Sequence, residues 1–197
     1  MDRTPPPPVA ERLRRALARG GAGSSDFDLN PGTMPQDVVL RPAGVLVAVT
    51  PAERVILTKR SSHLRHHPGQ IAFPGGKVDA GDRDEIGAAL REAREEVGLP
   101  EGAAEVLGTL PPHRTITGFR VTPVVALVPH FYPRAEPGEV DEVFEVPLSH
   151  LIDPANYHVE WRTWRGVSRG YHVVPWGPYY IWGATARMLR VLAERLS

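Results

Sequence analysis

Glu92, Glu95 and Glu96 are the side chains in this sequence whose type and spacing most directly suggest chemistry. They fall in Arg91-Glu92-Ala93-Arg94-Glu95-Glu96-Val97-Gly98-Leu99, so Glu92 stands three positions before Glu95 and four before Glu96. On a helix the three carboxylates project from neighbouring points of one flank. Crowding them costs about 0.2–0.5 kcal/mol per exposed pair. A hard divalent cation turns that repulsion into coordination, because Mg²⁺ takes carboxylate oxygen together with water. Such an ion polarises a phosphate and lowers the pKa of a bound water. Taken alone, an Arg-Glu-x-x-Glu-Glu face is most often solvated surface. Here the Gly-rich turn Gly75-Gly76 feeds the segment and Gly98 closes it. Arg91 is expected to steer a carboxylate rather than to touch substrate.

The elements that must hold these residues can be read from periodicity. Ile86, Leu90, Ala93 and Val97 recur at helical spacing and predict a helix over about 83–97, with Asp82 or Asp84 as its cap. Before it, Gly44–Thr50 and Arg54–Thr58 are short β-branched runs flanking Pro51-Ala52-Glu53, the pattern of a hairpin. A polar loop from Lys59 to Pro68 carries His63, His66 and His67, which read as loop polarity or phosphate contact more than as a metal cluster. Strands are expected at about 105–110, 120–128, 158–164 and 168–174, and a last helix over about 181–196. Glu139, Glu142 and Glu145 follow Pro137-Gly138, and spacing does not select a general base among them. Tyr179, Tyr180 and Trp182 suit core packing better than adenine stacking. Residues 1–36 read as an N-terminal extension, polyproline-like over Pro5–Pro8 and with a short helix over about 9–19. Residues 37–197 form one domain of the α+β class.

Composition removes several classes of function. The 197 residues carry 23 Lys and Arg against 23 Asp and Glu, and a zero net charge argues against a broad nucleic-acid surface. With no cysteine there is no disulfide, thiol nucleophile or Cys-type metal site. No apolar run approaches the length of a membrane span and no leader is evident, so a soluble cytoplasmic protein is expected. Spacing says nothing about oligomeric state.

The Gly76–Leu99 segment resembles the Nudix box, G-x5-E-x7-R-E-U-x-E-E-x-G-U with U aliphatic. Asp82 stands at the first acidic position, eight residues rather than seven separate it from Arg91, and Ala93 takes the first aliphatic position. A second stretch, Ile56-Leu57-Thr58-Lys59-Arg60-Ser61 with Arg65, Gly69 and Phe73-Pro74-Gly75-Gly76, is similar to the signature of the coenzyme A pyrophosphatase branch of Nudix hydrolases. The likeness extends through Thr115–Phe119 and Ile181–Ala186. It implies a Nudix-type α/β/α sandwich with a mixed β-sheet and a hydrolase using Mg²⁺ or Mn²⁺. Coenzyme A or a derivative would be its substrate, and ADP-ribose or a related diphosphate the runner-up. A non-catalytic nucleotide-binding module on the same fold would be expected to lose the helix carboxylates. The resemblance gives Glu92 and Glu96 as metal ligands, Glu95 as a further ligand or base, and Arg91 as the residue that orients the acidic group. Arg60 and Arg65 would meet the substrate's phosphates by charge-assisted hydrogen bonds. Gly69, Gly75 and Gly76 would let backbone approach closely.

Overall fold

The computed structural model describes residues 7–31, 38–164 and 166–197. Pro5 and Pro6, half of the polyproline run, lie outside the described residues. The helices are α1 (Val9–Ala18), α2 (Glu85–Val97), α3 (Leu148–Leu151) and α4 (Gly183–Leu196). The strands are β1 (Ser24–Ser25), β2 (Arg41–Val49), β3 (Arg54–Arg60), β4 (Ile71–Ala72), β5 (Gly75–Lys77) and β6 (Glu105–Thr109). They continue as β7 (His113–Arg114), β8 (Phe119–Leu127), β9 (Val140–Pro147), β10 (His158–Trp164) and β11 (Val167–Val173).

Side chains alternate across a strand, so each central strand feeds two cores. Val47 and Val49 of β2, with Val55 and Leu57 of β3, face α1 and α4 through Leu13, Leu189 and Leu192. Leu46, Ala48 and Ile56 face the other way, onto Ala89, Ala93 and Val97 of α2. This is the expected α/β/α sandwich. The main sheet runs β1-β7-β8-β2-β3-β4, with β5 on β2, β6 on β8 and β9 on β3. It is mixed: β2 and β8 run parallel from Arg41–Phe119 to Val49–Leu127, whereas β3 and β9 are antiparallel. The β10–β11 ribbon is a separate two-stranded sheet. Among the described residues no helix is long and apolar enough to cross a membrane.

Four local expectations are narrowed or corrected. The β2–β3 hairpin closes only at Val49–Val55, because β2 is occupied by β8 and β5 and β3 by β9. Helix α2 starts at Glu85, capped by Asp84, whose Oδ1 accepts the Gly87 N–H at 2.9 Å. Asp82 is thereby left free for another partner. Helix α4 starts at Gly183, because the Val174 N–H holds the Ile181 carbonyl at 2.9 Å in extended backbone. Segment 140–147, read above only for its acids, is a strand.

The N-terminal extension packs into the domain. Leu13 is fully buried in the α4-side core. Strand β1 pairs in parallel with β7, and Asp26 braces it by accepting from Ile116 N–H at 2.9 Å and lying 3.1 Å from His113 Nε2.

Candidate active site

The turn of Pro74–Gly76 and the flank of α2 meet because β5 pairs with β2 while α2 covers the same strand. Two of the three helix carboxylates face that turn. Glu96 is 3% exposed, and its Oε2 accepts the Gly75 N–H at 3.0 Å. Its other oxygen lies 3.9 Å from Arg60 Nη1. Glu92 lies against Gly76 so closely that a Cβ there would meet its carboxylate and force that side chain to shift. Glu95 departs from the expected trio. It points outward, half exposed, and accepts from Arg91 Nη1 at 3.0 Å.

Arg91 is the hub of the site. Its Nε and Nη2 bind both oxygens of the buried Asp82 carboxylate, at 2.9 and 3.0 Å. Its Nη1 bonds Glu92 and Glu95, each at 3.0 Å. The longer spacing before Arg91 therefore still delivers an acid to the guanidinium. The Asp82 carboxyl is held below its usual range by these hydrogen bonds. Burial acts in the opposite sense on the site acids. It raises Glu92, and it pushes Glu96 up to about 7, against the Gly75 N–H and with the help of the Glu92 charge.

Glu139 adds negative potential to both Glu92 and Glu96, which selects it from the three later acids. Glu142 is taken by the Tyr179 hydroxyl, and Glu145 by Arg54 at 3.0 Å. Sequence left the three acids equivalent, because the partners that separate them lie on other elements. Among the described residues no three His, Asp or Glu side chains converge tightly enough to hold a metal ion on their own. The donor set still suits a hard cation. Two adjacent carboxylates, one buried and resisting ionisation, face a glycine cradle, and Mg²⁺ is commonly held by one or two carboxylates plus substrate phosphate.

Beside this pair opens a cavity of about 840 Å³, a size that suits an extended nucleotide ligand. Arg60, Gly75 and Gly76 line it. Arg65 and Gly69 do not. Arg65 is exposed on the loop, and Gly69 closes that loop by donating its N–H to the Arg60 carbonyl at 3.0 Å. His66 and His67 stand at the mouth, while Tyr179 stacks on Phe144 in the core and Trp182 is part of the wall. Sequence reasoning missed Arg41, Arg169, Arg187 and segment 25–30, which complete the wall. They carry no periodic signal, since tertiary packing alone brings them together. Asn30 secures that segment by exchanging two hydrogen bonds, 2.8 and 2.9 Å, with the backbone of Gly170.

His172, also on the wall, is 8% exposed beside Arg190 and Arg187, and burial with these charges lowers its pKa from 6.5 to about 4. The unfolded chain therefore binds the extra proton between these values, and stability is full above pH 6.5 and falls as pH drops toward 4. We expect a loss of about 2 kcal/mol between pH 7.5 and 5. Urea unfolding at pH 7.5 and 5, compared with His172→Gln, measures it. An equal pH response in the variant would remove His172 as the cause.

A family model described as NUDIX domain matches residues 40–165. The uncharacterized Nudix hydrolase NudL of Salmonella paratyphi B is 45% identical over 171 residues, covering 85% of this chain and 89% of that protein. The same figures hold for NudL of Salmonella enteritidis PT4. Among solved structures, the NUDIX domain of Shewanella oneidensis NrtR complexed with ADP ribose superposes with a TM-score of 0.51 at 17% identity, covering 86% of this chain and 95% of that one. That likeness shows the fold.

Proposed function

Because the chain belongs to the Nudix family of hydrolases, we propose that its substrate is coenzyme A or a derivative, cleaved at the pyrophosphate to 4′-phosphopantetheine and adenosine 3′,5′-bisphosphate. The observation that carries this reading is the continuity of the cavity. It starts at Arg60 and the Gly75–Gly76 turn beside Glu96, and it extends past Trp182 to walls built by other elements. A pyrophosphate alone would leave most of it empty.

Glu92 and Glu96 are the residues that would hold Mg²⁺ or Mn²⁺. A divalent ion bound there supplies charge neutralisation of the phosphates and acidifies a coordinated water. Arg91 holds Glu92 in place, with Glu95 and Asp82 as its counter-charges. Arg60 meets the pyrophosphate by charge-assisted hydrogen bonds. Gly76, with no Cβ, lets the phosphates come up to the carboxylates. Hydrolysis adds a water oxygen to one phosphorus and breaks its bond to the bridging oxygen, which leaves on the other phosphate. Glu139 is the carboxylate proposed to take the water's proton, and its position is what the acid pair senses.

Mass spectrometry of the products from coenzyme A with Mg²⁺ or Mn²⁺ tests the reading. The expected result is 4′-phosphopantetheine and adenosine 3′,5′-bisphosphate, with ADP-ribose cleaved at least about tenfold more slowly, the discrimination that one unfilled polar subsite provides. Cleavage of ADP-ribose without cleavage of coenzyme A would overturn the substrate, and inertness toward both would point to a binding module.

A further inference from the structure

The cavity has a second cationic station that the pyrophosphate chemistry does not use. Arg169 lies on β11 directly opposite Arg162 of β10, and like charges facing across a ladder are destabilising. Arg162 is partly compensated by aromatic faces, its guanidinium carbon being 5.8 Å from the ring centroids of Tyr171 and Tyr180. Arg169 lacks that relief. Its Nε is buried with no hydrogen-bond partner among the described residues, although the residue lines the cavity. Leaving a charged donor unpaired is among the more costly arrangements in a folded chain. Arg187, one turn into α4, reaches the same cavity. Its Nε is anchored by Asp28 at 2.8 Å, whereas its Nη1 is buried without a hydrogen bond, 3.9 Å from Glu194. Helix α4 begins at this wall with no side-chain cap, so its first N–H groups add partial positive charge.

We propose that Arg169 and Arg187 form a phosphomonoester subsite, which takes a terminal phosphate separate from the pyrophosphate being cleaved. The inference rests on the substrate reading above, in which the 3′-phosphate of coenzyme A is such a group, and it places recognition of that group on the β10–β11 ribbon and α4. Arg suits this role because its fork of donors matches phosphate oxygens in pairs. The Asp28 contact fixes Arg187 in advance and leaves Arg169 as the group that gains a partner on binding.

The test is calorimetric titration of the full chain with adenosine 3′,5′-bisphosphate and with adenosine 5′-monophosphate, for the wild type, Arg169→Gln and Arg169→Lys. The wild type should bind the bisphosphate about tenfold or more tighter than the monophosphate. Arg169→Gln should abolish that preference with monophosphate affinity within about twofold, and Arg169→Lys should fall between, since it keeps charge and loses the fork. Equal affinities in the wild type overturn the subsite, as does a preference retained in Arg169→Gln. If Arg169→Gln fails to fold, a Lys variant with the wild-type preference intact also overturns it. Preference present without coenzyme A cleavage would sink the substrate reading and leave the subsite standing. Coenzyme A cleaved without any preference would do the reverse.

Discussion

Glu96→Gln is expected to lower metal-dependent turnover by about 10³-fold, the several kcal/mol that a correctly held divalent ion supplies, while the chain stays folded. The amide keeps an oxygen to accept the Gly75 N–H, so the turn survives, but it offers an ion no charge. Stability should move in the opposite direction. Burial raises Glu96 to about 7, so ionising it in the folded chain is unfavourable. The unfolded carboxyl loses its proton near 4.5, and the metal-free wild type therefore loses stability as pH rises from 4.5 through 7. The Gln variant escapes that loss and should be more stable by about 2 kcal/mol in chelator at pH 7.5. Adding Mn²⁺ should raise the melting temperature of the wild type and leave the variant unmoved, because an ion that binds only the native state stabilises it by mass action. Turnover in Glu96→Gln within about tenfold of the wild type would contradict the assignment of this residue, since a lost ligand costs far more.

Arg91→Ala should be costly in a different way. The guanidinium holds both oxygens of Asp82, whose side chain is only 4% exposed, and also bonds Glu92 and Glu95. Removing it leaves the Asp82 carboxylate with the Asp79 N–H but no counter-charge, and Glu92 and Glu95 repelling each other. A loss of about 3 kcal/mol is expected, the lower part of the range for breaking a buried ion pair, because Arg91 keeps some solvent access. Chemical unfolding reads this directly. The double variant Asp82→Ala/Arg91→Ala should lose less than the sum of the singles, since the unpaired charge then disappears with its partner. Arg91→Lys should recover part of the stability and little of the rate, because a point charge cannot span Asp82 and Glu92 together. A cost below about 0.5 kcal/mol for Arg91→Ala would place the residue among ordinary surface charges.

Helix α2 shows how far local pattern reaches. Its apolar spacing, its capping acids and Gly98 in left-handed conformation at φ 71° are all properties of neighbouring residues, and the helix was legible from them. The mixed α+β architecture followed from similar cues. So did the pairing of Glu92 with Glu96, which the four-residue spacing puts on one line of the helix. Strand β9 was less legible because Glu142 breaks the alternation of its buried positions Val140, Phe144 and Val146.

What distinguishes Glu95 from Glu96 is not in their spacing. It depends on which side of α2 the sheet covers: Glu96 is sealed under the Pro74–Gly76 turn, while Glu95 stays in solvent on Arg91. The same holds for Arg65, left exposed on a loop that closes between Arg60 and Gly69, and for Glu139, which only the fold brings within electrostatic reach of Glu92 and Glu96. The second basic station is the extreme case. Arg169 and Arg187 come from a ribbon and a helix far along the chain, and residues 25–30 close the wall from its beginning. Local sequence determined the helix, its acids and the glycine turn, because those depend on propensity and periodicity over a few residues. Only tertiary packing decided which charges are buried and which share a cavity, because desolvation depends on everything that surrounds a group and not on its neighbours in the chain.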